Sequence, residues 1–324
     1  MSRIIRQLLA LLMLASVSFP ASALTCSFSL NDFNFGIVDV LSNTNPLAQV
    51  SANATITCSR GLLEAPDSVT VCGEFGTGTG GRVGSQRTMA SGANALNFNI
   101  YADAGGTSIL GASNLPQIGS PLRIVFGSNN FNIFGGTATQ NVTLFGRVNG
   151  NQPTAATGNY VSQWVGATNA QARYANGTQA CTAGMGTDAG LTFQAVATVA
   201  PMCLLQKPAD LSFGARSNLD TVTDATTNIN LTCTRAASYS VELDRGLNNQ
   251  GVNRNMRLNT GTDRVSYELY RDPARSQVWR TGNNALTGTG TGVVQALIVY
   301  GRIPTQVTPA QGAFTDTVTV TVTF

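Results

Sequence analysis

The sequence has 324 residues, with 19 Lys+Arg, 16 Asp+Glu, no histidine and a formal charge of +3. Charged residues make up only 11% of it, less than half the usual quarter, and the single lysine, Lys207, leaves no basic stripe of the kind nucleic-acid binding needs. Without histidine there is no Ser-His-Asp or Cys-His arrangement and no mixed His site for catalytic zinc. The chain is therefore expected to be no enzyme and to use no cofactor or metal.

The amino end reads as an export signal. Arg3 and Arg6 precede an almost unbroken apolar run from Leu8 to Phe19, Pro20 breaks it, and Ala21-Ser22-Ala23 follows. That order matches a cleaved secretory segment over residues 1–23, too short to span a bilayer, which takes about 20 apolar residues. Its removal leaves 17 basic residues against 16 acidic ones. Six cysteines follow: Cys26, Cys58, Cys72, Cys181, Cys203 and Cys233. An even number in an exported chain implies disulfides, although six allow 15 pairings.

Downstream, one plan occurs twice. Cys26, Phe35-Gly36 and Ala54-Thr-Ile-Thr-Cys58 answer Cys203, Phe213-Gly214 and Asn230-Leu-Thr-Cys233. Leu96–Asp103 and Val265–Asp272 share an alternating pattern and a Tyr-x-Asp ending. Leu144-Phe-Gly-Arg-Val148 then answers Val299-Tyr-Gly-Arg-Ile303, and each precedes a Pro-bearing turn and an aromatic, Tyr160 or Phe314. A duplication into domains 24–199 and 200–324 follows.

The period is two nearly throughout. Val318, Val320, Val322 and Phe324 share one face of the last segment, with threonines between them. Such β-branched alternation predicts half-buried strands, and short runs between Gly, Asn and Pro turns predict a sandwich or barrel. No segment shows a 3.6-residue period, so the expected fold is all-β. The repeat pairs Cys26–Cys58 and Cys203–Cys233 as equivalents and leaves Cys72 with Cys181, each bridge contributing roughly 2–4 kcal/mol. Gly76-Thr-Gly78-Thr-Gly-Gly81 satisfies G-x-G-x-x-G, but it lacks the strand-then-helix context of a dinucleotide site and reads as a flexible turn.

This ordered set of Cys, Phe-Gly, Thr-Cys, Tyr-x-Asp and Gly-Arg landmarks, closing on an alternating Val/Thr strand, resembles the spore coat protein U domain family. The resemblance implies two tandem immunoglobulin-like β-sandwich domains, the C-terminal one incomplete and strand-accepting. It further implies the tip subunit of an archaic chaperone–usher pilus, active in surface adhesion and biofilm formation. Its partners would be a periplasmic pilus chaperone, an outer-membrane usher and an adjacent pilin subunit, and its destination the cell surface, reached through the periplasm. On that reading Val318, Val320, Val322 and Phe324 line the groove that takes the borrowed strand; read without it, they form an ordinary terminal strand. Only Leu24 and Thr25 precede Cys26, so the chain is expected to accept a strand and give none, which suits the tip of a fibre.

The first domain is longer than the second, with inserts at 104–137 and 163–190. Large hydrophobes there stand among Gly, Asn and Ser: Leu110, Leu115, Ile118, Phe126, Phe131, Ile133, Phe134, Trp164 and Val165. They are expected at loop tips, as an apolar patch that binds an abiotic or host surface at roughly 25 cal/mol per Å² buried. The alternative places Ile124–Phe126 and Phe131–Ile133 on hairpin strands facing the core. Two other functions compete, a structural spore-coat-like or matrix protein and a lectin-like carbohydrate binder.

Overall fold

Alternation sets the first strand, β1 (Thr25–Leu30), in which Cys26, Phe28 and Leu30 face inward and the residues between them face solvent. It is followed by β2 (Phe33–Ile37), β3 (Ala48–Arg60), β4 (Val69–Phe75), β5 (Arg82–Val83), β6 (Gln86–Ser91) and β7 (Asn94–Tyr101). Then come β8 (Leu122–Phe126), β9 (Gly136–Val148), β10 (Gly158–Trp164), β11 (Ala170–Asn176), β12 (Thr187–Gly190) and β13 (Phe193–Val199). The second domain holds β14 (Cys203–Leu205), β15 (Thr223–Cys233), β16 (Ser238–Leu243), β17 (Arg254–Leu258) and β18 (Arg264–Tyr270). It continues with β19 (Leu286–Thr289), β20 (Gln295–Ile303), β21 (Phe314–Thr315) and β22 (Val320–Thr323). This computed structural model describes residues 24–61, 67–131, 134–166, 169–206 and 208–324, so the export segment 1–23 lies outside the described residues.

The protein is all-β, as the period of two implied. In the first domain one sheet runs β1-β3-β9-β7-β6-β10-β13-β2 and the other β12-β11-β4-β8. The second domain has β14-β15-β20-β18-β17-β21 facing β19-β16-β22. Each domain closes on its own apolar cluster, around Ile56, Phe98, Trp164 and Phe193 in the first and Leu231, Val241, Trp279 and Val299 in the second. The Gly of each Gly-Arg motif is there because aromatic and apolar side chains lie over it. A Cβ at Gly146 would stand 2.8 Å from Phe33 and Phe35, and one at Gly301 2.5 Å from Leu211 and 3.0 Å from Phe213.

The three disulfides join Cys26 to Cys58, Cys72 to Cys181 and Cys203 to Cys233. The first and third link directly opposed residues of β1–β3 and β14–β15, at Cα separations of 4.1 and 4.0 Å. Cys72–Cys181 closes 109 residues and ties the loop after β11 to β4. Replacing Cys72 and Cys181 together by alanine should lower first-domain stability by about 2–4 kcal/mol, read by denaturant unfolding, and leave the second-domain transition where it was.

A buried arginine braces each domain. Arg87 donates to the carbonyls of Phe75, Gly76 and Leu110 at 2.6, 2.7 and 2.7 Å, and burial pulls its pKa down to about 9. Arg254 donates likewise to Leu243, Asp244 and Trp279. The residues standing beside these two differ: Asn99 beside Arg87, the Glu268 carboxylate beside Arg254.

The domains meet at the turn after β15. The Thr157 N–H donates to the Arg235 carbonyl at 2.9 Å, and the Arg235 guanidinium donates to Asn94 at 3.2 Å. This contact marks one pole of the first domain. The ends of β3, β8 and β11 lie at the other.

Candidate assembly groove and distal pole

Strand partners reveal what the second domain lacks. In the first domain β10 lies between β6 and β13, and β11 between β4 and β12. In the second, β21 pairs with β17 and β22 with β16. Among the described residues nothing pairs with their outer edges. The registers of the two sets correspond: Val161 faces Ala90 as Thr315 faces Arg257, and Ala170 faces Phe75 as Val320 faces Leu243. Gly158 and Gly312 keep matching φ values of +154° and +155°. Insert 163–190 is thus not wholly without a counterpart, since its β11 matches β22. Strands β12 and β13, which lie along the outer edges of β11 and β10, have no match in the second domain.

Their absence opens the core. Tyr160, Ser162 and Trp164 are fully buried in the first domain, with Ala170 and Ala172 nearly so. Their counterparts Phe314, Asp316, Val318, Val320 and Val322 are half-buried, the apolar four packing on the second-domain core from one side. Tyr174 is 8% exposed and its counterpart Phe324 is 54% exposed. The other bank of the gap is the segment of Leu211 and Phe213. In the first domain the equivalent β2 runs parallel to β13, whereas residues 208–216 form no strand. A groove floored by apolar side chains and flanked by two unpaired backbones is the geometry that takes up another strand.

Among the half-buried inward positions of residues 314–322, Asp316 is the polar one. Asp316 accepts hydrogen bonds from Asn248 N–H at 3.0 Å, Asn248 Nδ2 at 3.2 Å and the Tyr267 hydroxyl at 2.7 Å. Burial, with the Asp316 carboxylate adding to it, pushes the Tyr267 hydroxyl far above its usual range, so it remains a donor.

The distal pole corrects the expected adhesive set. Leu110, Ile118, Phe126, Phe131 and Trp164 are core residues, at most 5% exposed. Phe126 lies on β8, and Phe131 packs against it and under Arg60. Trp164 stacks on Phe193 with ring centroids 4.5 Å apart and donates to the Gly76 carbonyl at 3.2 Å. These side chains face inward because the inserts supply strand β8 and the connections closing the second sheet, so their hydrophobes complete the core. Leu115 is half-buried, and Ile133 lies outside the described residues. Phe134 and Val165 are 74% and 59% exposed. Phe134 sits at the distal pole beside Gly135, where a Cβ would come within 2.6 Å of the Arg60 carbonyl. Val165 sits at the bend between β10 and β11. The same pole carries the loops around Ser68 and Thr178, whose hydroxyls lie 3.2 Å apart.

The profile of the Spore Coat Protein U domain matches residues 11–166 and 189–321, most of the chain. The chain belongs to this family. Protein U of Myxococcus xanthus is 32% identical over 108 residues, which is 31% of this chain, and the matched part spans 59% of that relative's length. Among solved structures, a chain of the CsuC–CsuE chaperone–tip adhesion subunit pre-assembly complex, from archaic chaperone-usher Csu pili of Acinetobacter baumannii, is similar over 93% of this chain and 100% of that one. Its TM-score is 0.51 and its identity 17%, a likeness of fold. The CupB6 tip adhesin from Pseudomonas aeruginosa aligns over 93% of this chain and 94% of its own, at 12% identity and TM-score 0.38. Within the Spore Coat Protein U family, then, this chain carries the domain twice, and among the described residues the second copy has no strands matching β2, β5, β12 and β13.

Proposed function

We propose that this protein is the adhesive tip subunit of an archaic chaperone–usher pilus, exported through the periplasm to the cell surface. The first domain binds the target surface, and the second is completed by a strand lent by a periplasmic chaperone and then by the adjacent subunit at the usher. One observation carries the reading: equivalent inward positions are buried beneath β12–β13 in the first domain and half-open in the second. The fold shared with the CsuC–CsuE complex supports it.

Charges in the groove test strand uptake. Val320→Asp combined with Val322→Asp would bury two carboxylates under the incoming strand without partners, a cost of several kcal/mol. Co-purification with the cognate chaperone should fall at least about 100-fold. Undiminished recovery of the complex would end the strand-accepting reading.

Adhesion through the distal pole has its own test. Phe134→Ser should leave stability within about 0.5 kcal/mol and reduce retention of piliated cells on hydrophobic plastic. Full retention would remove Phe134 from the binding surface, and inhibition by free sugars would favour a carbohydrate target.

A further inference from the structure

The first domain holds a pattern for the strand that the second lacks. Down the inner face of β12–β13 the residues are Ala189, Leu191, Phe193, Ala195, Ala197 and Val199. Phe193 stands opposite Trp164, Ala195 opposite Ser162, Ala197 opposite Tyr160 and Val199 opposite Gly158. Transferred by that register, these positions fall opposite Val318, Asp316, Phe314 and Gly312. Leu191, whose N–H donates to the Ala170 carbonyl at 3.2 Å, falls at Val320. In the first domain β10 ends at Trp164 and β11 begins at Ala170, whereas only Thr319 separates Val318 from Val320. A single unbroken alternating strand therefore matches residues 312–324.

Size differences along the groove then become a code. Valine at 318 stands where the first domain has Trp164, whose partner across the strands is the large Phe193. Asp316 replaces the hydroxyl of Ser162 with a bulkier carboxylate, held by Asn248 and Tyr267. It is pressed against Gly246, where a Cβ would come within 1.9 Å of it. A large side chain opposite Asp316 would both collide with it and strip water from its remaining lone pairs.

We infer that Asp316 sets the register of the borrowed strand: the residue that comes to lie opposite it must be glycine or alanine, which places large apolar residues against Val318 and Val320. This rests on the reading of the second domain as a strand acceptor.

The test uses the full mature chain purified with its chaperone, and a synthetic peptide copying residues 189–199. The peptide should displace the chaperone and raise the melting temperature of the second domain. The Ala195→Leu peptide should enter at least about tenfold less well, and Asp316→Ala in the full chain should restore its entry. Equal entry of the two peptides into the unaltered chain, or no rescue by Asp316→Ala, overturns the assignment of Asp316. A chaperone complex that forms normally but admits no copy peptide overturns the pattern while leaving strand acceptance intact. Failure of the chaperone complex itself overturns strand acceptance and this inference with it.

Discussion

Trp164→Ala should unfold the first domain more readily by about 3–5 kcal/mol, seen as a lower denaturant midpoint with the second-domain transition unmoved. The indole has no solvent-accessible surface, stacks on Phe193 and meets Phe98 edge-on with centroids 6.1 Å apart. Truncation loses the transfer energy of the ring, an aromatic contact worth about 0.5–1.5 kcal/mol, and the packing around the void. The Gly76 carbonyl would not be orphaned, because Arg87 Nε still donates to it at 2.7 Å. A cost below about 1 kcal/mol would contradict a core position. The same variant separates Trp164 from Phe134: any loss of adhesion on replacing Trp164 should track unfolding, and on replacing Phe134 it should not.

Glu268→Gln should destabilise the second domain by about 3 kcal/mol, because it leaves a buried guanidinium without its anion. Glu268 bridges Arg254, whose side chain is wholly buried, and Arg280. Burial lowers the pKa of Arg254, and the Glu268 carboxylate is what opposes that shift. In the first domain the counterpart is neutral Asn99, 3.4 Å from Arg87, and Arg87 is held by backbone carbonyls. Asn99→Ala should therefore cost less, about 1–2 kcal/mol. Chemical unfolding of each variant, following the transition of its own domain, compares the two. If the two losses prove equal, the charge on Glu268 is not what stabilises Arg254.

Much of this architecture is local in origin and so legible in the chain itself. Period-two alternation at Thr25–Leu30 and Phe193–Val199 follows from the pleat, which sends successive side chains to opposite faces. The repeated cysteines, the Tyr-x-Asp endings and the Gly-Arg pairs mark the duplication, and Cys26–Cys58 and Cys203–Cys233 follow from it. Alternation does not say which face meets a core, however. Leu110, Ile118, Phe126, Phe131 and Trp164 read in the sequence as loop-tip hydrophobes, with core-facing hairpin strands the alternative for Phe126 and Phe131, and the strands packed around all five turned them inward. Strand β4 alternates too, yet it is buried along its whole length: Val69, Val71 and Phe75 enter the core, while Ser113, Gln179 and Met185 from the loops lie against Glu74, Thr70 and Cys72 on the other face, and the period gives no sign of that second cover.

The groove was half visible. Alternation placed Val318, Val320, Val322 and Phe324 on one face from residue order alone. That their outer edge is open, that β12–β13 is the element missing beside it, and that Asp316 stands within the gap depended on strand pairing. Pairing joins residues far apart in the chain, such as Trp164 with Phe193 and Val320 with Leu243, and no local pattern encodes which edges find a partner. Sequence alone thus determined the strands, the duplication and the disulfide framework, because the pleat and the repeat are local; the buried faces and the unfilled edge were decided by tertiary contacts, because burial and pairing are properties of the assembled sheets.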